Sequence, residues 1–166
     1  MSSENVFIGI ITEFPDRITN TVKRNIHRFP KIQVLEPESS PFDIKIINKG
    51  TFNAQTLQRL TCKVNAFKKQ IEYNYPYMVL LEDNLILKED FLQFIDNIIK
   101  YIDLQDSYSI VRLGLMGKGY LTTLPGAVKI INYINNKGLT NNIDSHLGLL
   151  CSNLTGQLCV HHECWN

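Results

Sequence analysis

The sequence predicts an α/β fold: a single domain of three layers, with helices on both faces of a mostly parallel central sheet. Two patterns predict it. Short β-branched runs alternate along the chain with segments whose apolar residues recur every three or four positions, the order expected when strands and helices take turns around one sheet. In addition, YMVLL (77–81) is apolar at every position, as in a parallel strand covered on both sides.

The elements follow in order. VFIGIIT (6–12) reads as the first strand. From Asp16, the residues Ile18, Val22, Ile26 and Phe29 keep helical spacing, and Pro30 stops that helix. KIQVLEP (31–37) is a second strand, PESSPF (37–42) a turn cluster, and DIKIIN (43–48) a third strand ending at Lys49 and Gly50. Leu57, Leu60, Val64, Phe67 and Ile71 then form one helical stripe, with Gln58, Arg59, Lys63, Lys68 and Lys69 mostly off it. After Tyr75 and Pro76, YMVLLED (77–83) is a fourth strand. Phe91, Leu92, Ile95, Ile98, Ile99 and Ile102 mark another amphipathic helix. SIVRLGL (109–115) and GYLTTL (119–124) read as strands joined through the glycine-rich GLMGKG (114–119). Pro125 suits the first turn of a helix that Lys137 and Gly138 close. A shorter helix is expected near Asp144, and QLCVHHECW (157–165) closes the chain as a strand or extended tail. No internal repeat or linker interrupts this order, so residues 1–166 are read as one domain.

Composition narrows the function classes. The formal net charge of +1 offers no general footprint for nucleic acid. No run approaches the roughly 18 apolar residues of a membrane span. MSSENVFIGIITEF has no basic segment ahead of its short apolar run, so it reads as a first strand rather than a signal peptide. A cytoplasmic protein with reduced thiols is the expectation.

Ligands of open α/β sheets bind beyond the carboxyl ends of the strands. Thr12, Glu13, Asn48, Glu82, Asp83, Asn84 and Gly114 would emerge there. Carboxylates at the tip of a buried strand suit three chemistries. A phosphoryl-accepting aspartate, as in a receiver domain, would need a second acidic pair, which Glu13 and Asp16 only approximate. A dinucleotide site would need G-x-G-x-x-G between the first strand and helix, and GIITEFPDR lacks it. A sugar-nucleotide site would use the carboxylates to hold a divalent cation beside a diphosphate.

CKVNAFKKQIEYNYPYMVLLEDNLILKEDF (62–91) resembles the core of GT-A glycosyltransferases, especially family 25, the lipopolysaccharide and procollagen-galactosyl type. There an apolar strand leads to Glu-Asp-Asp, a few apolar residues, and a helix opening with an acid and Phe. GLMGKGYLTTLPGAVKIINYI (114–134) and NNIDSHLGLL (141–150) are similar to later segments of that family. The resemblance implies a Rossmann-like GT-A domain that transfers a sugar from a nucleoside diphosphate, UDP by family habit, to a hydroxyl of a glycan or glycoprotein. It implies that Glu82 and Asp83 lie near the ribose and metal, with Thr12, Arg17 and Lys63 contacting nucleobase and diphosphate. Asp144 would be the general base of an inverting transfer. Mn²⁺ or Mg²⁺ would be held by Asp83 and Asn84, with His161 or His162 joining from the tail. Asn84 departs from the family, which has Asp there, and an amide oxygen lacks a carboxylate's Coulomb attraction. The domain is small for this fold, so the acceptor-binding part would be either reduced or completed by a partner or a neighbouring domain.

Blander readings stand beside these. Glu82 and Asp83 would also fit a solvated loop, Asp144 a helix N-cap, and Lys63, Lys68 and Lys69 the wet face of their helix. Tyr120 fits packing as well as a sugar platform. Cys151, Cys159, His161, His162 and Cys164 offer zinc-type donors, though without paired spacing. A degenerate, non-catalytic module binding nucleotide or protein is the alternative function.

Overall fold

The computed structural model describes residues 5–12, 19–35, 54–105, 110–113, 119–138 and 157–160. They form one six-stranded sheet in the order β2-β1-β3-β5-β4-β6. The strands are β1 (Val6–Ile11), β2 (Gln33–Leu35), β3 (Tyr77–Glu82), β4 (Ile110–Leu113), β5 (Gly119–Thr123) and β6 (Gln157–Val160). The helices are α1 (Asn20–Arg28), α2 (Ala54–Glu72), α3 (Phe91–Gln105) and α4 (Leu124–Lys137). β1 pairs in parallel with β2 and β3, and β4 with β6. β5 alone runs antiparallel, between β3 and β4. The mostly parallel three-layer fold expected from the sequence is therefore the one observed.

Two apolar clusters sandwich the sheet. Val6, Ile8, Ile10, Val79, Leu81, Val111 and Leu121 meet α1 and α3 on one face. Phe7, Ile11, Met78, Leu80, Ile110 and Tyr120 meet α2 and α4 on the other. The alternation of neighbours between clusters follows from the two-residue period of a strand. Tyr120 is 5% exposed, so it is a packing residue and not an open sugar platform.

Local chemistry sets the ends of the elements. Thr19 caps α1 by accepting from the Val22 N–H at 3.3 Å. The helix therefore begins at Asn20, later than the spacing from Asp16 suggested, because the capping residue needs extended backbone (φ −65°, ψ 158°). Thr123 caps α4 through the Gly126 N–H, with Pro125 in the first turn where a missing donor costs nothing. Gly138 closes α4 at φ 73°. The DIKIIN strand and the helix near Asp144 lie outside the described residues.

The two rims of the sheet differ. Residues 29–32 and 73–76 make short turns at one rim, and β5 runs directly into α4 there. At the other, the chain leaves β1, β2, β3, β4 and β6 and enters β5. The carboxyl ends of the parallel strands thus share one rim, the side on which open α/β sheets bind ligands.

Within β1, Gly9 faces Leu35. A Cβ there would lie 2.7 Å from Leu35 Cδ1 and 3.3 Å from Phe7 Cε1. Gly9→Ala should lower stability by about 1–3 kcal/mol through overpacking. In urea unfolding, Leu35→Ala should cost less in the Gly9→Ala background than in the wild type; equal costs in both would show that the two positions do not press on each other.

Candidate functional site

β3 delivers Glu82 to the loop-bearing rim. In register, Ile11 of β1 is opposite Glu82, so Thr12 and Asp83 are the next residues beyond the paired strands. Thr12 is 3% exposed, Glu82 and Asp83 are half-buried, and Asn84 is exposed. The strand that carries them is buried from Tyr77 to Leu81, which makes its tip a rigid mount rather than a loose loop.

The turn at 83–84 is fixed on its far side too. Leu85 and Leu87 are buried in the cluster against α1 and α3, and each contributes about 1.5–3 kcal/mol by leaving water. Between them the backbone is gripped from α1. The Asn25 Nδ2 donates to the Leu85 carbonyl at 2.6 Å, and Asn25 Oδ1 accepts from the Leu87 N–H at 3.1 Å. Arg28 Nη1 donates to the Leu87 carbonyl at 2.9 Å. The leucines supply most of the holding energy, since a hydrogen bond nets only about 1 kcal/mol. The side-chain amide supplies direction, because it can satisfy one donor and one acceptor in one geometry only.

Asn25 was invisible to the periodicity reading. It lies on α1 between Val22 and Phe29 and is 1% exposed. A buried Asn in a short helix opposes local preference, and that conflict is the signal that could have found it.

Lys63 departs from a simple wet-face assignment. Residues 63, 67 and 70 share a row of α2, and Phe67 and Gln70 are buried while Lys63 is half-buried. Gln70 donates to the carbonyls of Thr122 and Tyr75, at 2.9 and 3.2 Å, near the opposite rim. Lys63 is thus about 10 Å along the helix from Gln70, nearer the acidic rim. Helical side chains lean toward the N-terminus, which here is also toward that rim. Lys69, by contrast, lies over the rings of Phe7 and Tyr73, 5.5 and 5.9 Å from their centroids.

β6 runs parallel to β4, with Val160 opposite Leu113. It therefore points to the same rim as β3, from three strands away, about 14 Å by strand spacing. His161 and His162 follow Val160 in the chain but lie outside the described residues, as do Arg17, Asp144, Cys151 and Cys164. Of the proposed site, the described structure brings Thr12, Glu82, Asp83 and Asn84 together and sets Lys63 on the helix that covers Glu82's face of the sheet. Among the described residues no cluster of three or more His, Cys, Asp or Glu is placed to hold a metal. The donors at the rim are two carboxylates and an amide, all oxygen. They suit a hard cation of the Mg²⁺ or Mn²⁺ type, which takes one or two protein carboxylates and completes its shell from water and phosphate.

No protein-family model matches the chain, and no curated protein matches it in sequence. The fold is similar to that of a solved structure described as a glycosyltransferase involved in the glycosylation of the major capsid of PBCV-1. That likeness has a TM-score of 0.53 at 11% identity and covers 93% of this chain and 81% of the other. At that identity the shared property is the glycosyltransferase-like fold. Among the described residues no helix is long and apolar enough to cross a membrane.

The Arg28 contacts separate by exposure. Its ion pair to Glu89, at 3.6 Å, uses a carboxylate side chain that is 96% exposed, whereas its hydrogen bond to Leu87 is partly buried. Arg28→Ala should therefore destabilise by about 1–3 kcal/mol, while Glu89→Ala should leave the urea midpoint almost unchanged. Comparable losses in the two variants would assign the stabilisation to the ion pair instead.

Proposed function

We propose that this chain is a glycosyltransferase that moves a sugar from a nucleoside diphosphate donor, UDP in the first instance, to a hydroxyl of a glycan or glycoprotein. Support for this reading comes from one observation above all: a half-buried carboxylate pair at the tip of a buried parallel strand, in a fold shared with a glycosyltransferase. The family 25 kinship belongs to the same proposal, carried by LLEDN (80–84) and the apolar run into Phe91.

In this reading Asp83 and Asn84 would hold the divalent cation, with Glu82 beside the ribose. The bound cation would supply Lewis-acid neutralisation of the departing diphosphate. Thr12, at the end of β1, would border the nucleoside. Lys63 and Arg17 would add fixed positive charge along the diphosphate, replacing water that the bound donor displaces. Asp144 would accept the proton of the attacking hydroxyl, and His161 or His162 would close the site from the β6 side. Rate enhancement would come chiefly from orientation, because the acceptor oxygen must be held near the anomeric carbon before any bond changes. The acceptor site would be completed by a partner or a neighbouring domain.

A second reading is favoured by one residue. Asn84 puts a neutral amide where the resembled family carries a carboxylate, so a module that binds nucleotide without turnover is the alternative.

Thermal shift distinguishes these readings, since a ligand that binds only the folded state stabilises it by about 2.7 kcal/mol at a concentration one hundred times its Kd. UDP with Mn²⁺ should raise the melting temperature more than UDP alone, and Asp83→Ala should abolish the difference. UDP-sugar hydrolysis should accompany binding in an enzyme and be absent in a binding module. No stabilisation by any nucleoside diphosphate, with or without metal, would contradict both.

A further inference from the structure

We infer that Asn25 is a positioning residue for the acidic turn, acting through the backbone at 85–87 to hold Glu82, Asp83 and Asn84 where a cation and a diphosphate meet. The inference rests on the proposed function for the identity of the ligand and on independent geometry for the role of Asn25.

The turn has two stems. One is β3, paired with β1 on one side and β5 on the other. The second is the 85–87 segment, in which Leu87 makes an isolated β-bridge but, among the described residues, no ladder like that of β3. Its two leucines are buried, but apolar burial is non-directional and tolerates small slides. Asn25 narrows that freedom. Its amide is bonded at both ends to backbone two residues apart, at 2.6 and 3.1 Å, and the residue is 1% exposed. A displacement of the segment along its own axis would break both bonds inside a dry cluster and leave a carbonyl and an N–H without partners. Arg28 adds a third bond, to the Leu87 carbonyl, from one turn further along α1. No backbone group of α1 itself needs this side chain; the groups that need it are the Leu85 carbonyl and the Leu87 N–H. What the amide adds is a fixed position for the residues immediately before Leu85. α1 is capped at Thr19, so the same helix follows the connection from β1 and locks the connection from β3, coupling the two strand ends that flank the site.

Asn25 touches neither the cation nor the nucleotide in this account, so its effect should appear in metal-dependent binding. The experiment titrates UDP into the full chain by calorimetry, with and without Mn²⁺, for wild type, Asn25→Ala and Gln70→Ala. Gln70 is the comparison because its buried amide also bonds backbone, Nε2 donating to two carbonyls near the opposite rim, one bond buried and one partly buried. Asn25→Ala should reduce the Mn²⁺-dependent gain in UDP affinity by about tenfold, the usual scale for losing a group that orients a metal ligand, and leave metal-free affinity within twofold of wild type. Gln70→Ala should retain the full metal-dependent gain. If Asn25→Ala does not fold, Arg28→Ala is measured in its place, with a smaller loss expected in the same quantity. A wild-type metal-dependent gain that survives Asn25→Ala, or that falls equally in Gln70→Ala, overturns the positioning role while leaving the site intact. No metal-dependent gain in the wild type overturns the proposed site and this inference with it.

Discussion

The constraint on which the rest of this structure depends is the placement of a two-residue turn between a paired strand and a buried, side-chain-clamped segment. β3 arrives at the rim with every residue from Tyr77 to Leu81 buried, and Leu85 and Leu87 return the chain to the core at once. Asp83 and Asn84 have little room to wander. A carboxylate on an ordinary surface loop pays conformational entropy whenever it binds a ligand, whereas here folding has already restricted the backbone. In the proposed reading, the apolar residues on either side of the turn preorganise the site.

The reversed strand β5 serves the same end. Inserting one antiparallel strand between β3 and β4 brings the connection between β4 and β5 to the rim where β1, β3 and β6 end. Every described strand thus contributes an end to one edge of the sheet. Among the described residues, the opposite edge carries the short turns at 29–32 and 73–76, Thr123 capping α4, and Gln70 bridging to Tyr75 and Thr122. The described residues thus differ between the rims: one carries the cap and the Gln70 bonds, the other the carboxylates of Glu82 and Asp83.

Much of the layered architecture was legible in the sequence because it follows from hydrophobic period. The full apolar run at 77–81 and the stripes of α2 and α3 need no partner to be recognised. The emergence of Thr12 beside Asp83 also followed, since strands that run parallel and end together present consecutive residues to one rim. What escaped was polar and long-range. Asn25 bonds residues 60 and 62 positions away, and Gln70 reaches a carbonyl 52 positions away; no local window contains both partners. Lys63 illustrates a subtler limit. Residue spacing put it off the stripe of Leu57, Leu60, Val64, Phe67 and Ile71, but α2 packs against both the sheet and α4, so its buried arc is broader and includes Cys62, Ala66 and Gln70. The ends of helices were similarly underdetermined: α1 waits for Thr19 because capping geometry, not apolar period, decides where it starts.

The central claim is that a divalent cation and a nucleoside diphosphate share the rim at the end of β3. Paramagnetic broadening by Mn²⁺ tests it most directly, in amide spectra of the isotopically labelled chain saturated with UDP. The account predicts that the amides of Thr12, Glu82, Asp83 and Asn84 broaden first, while Tyr73, Asn74 and Gly126 at the opposite rim stay sharp. Broadening centred on that opposite rim, or no site-selective broadening at all, would contradict it.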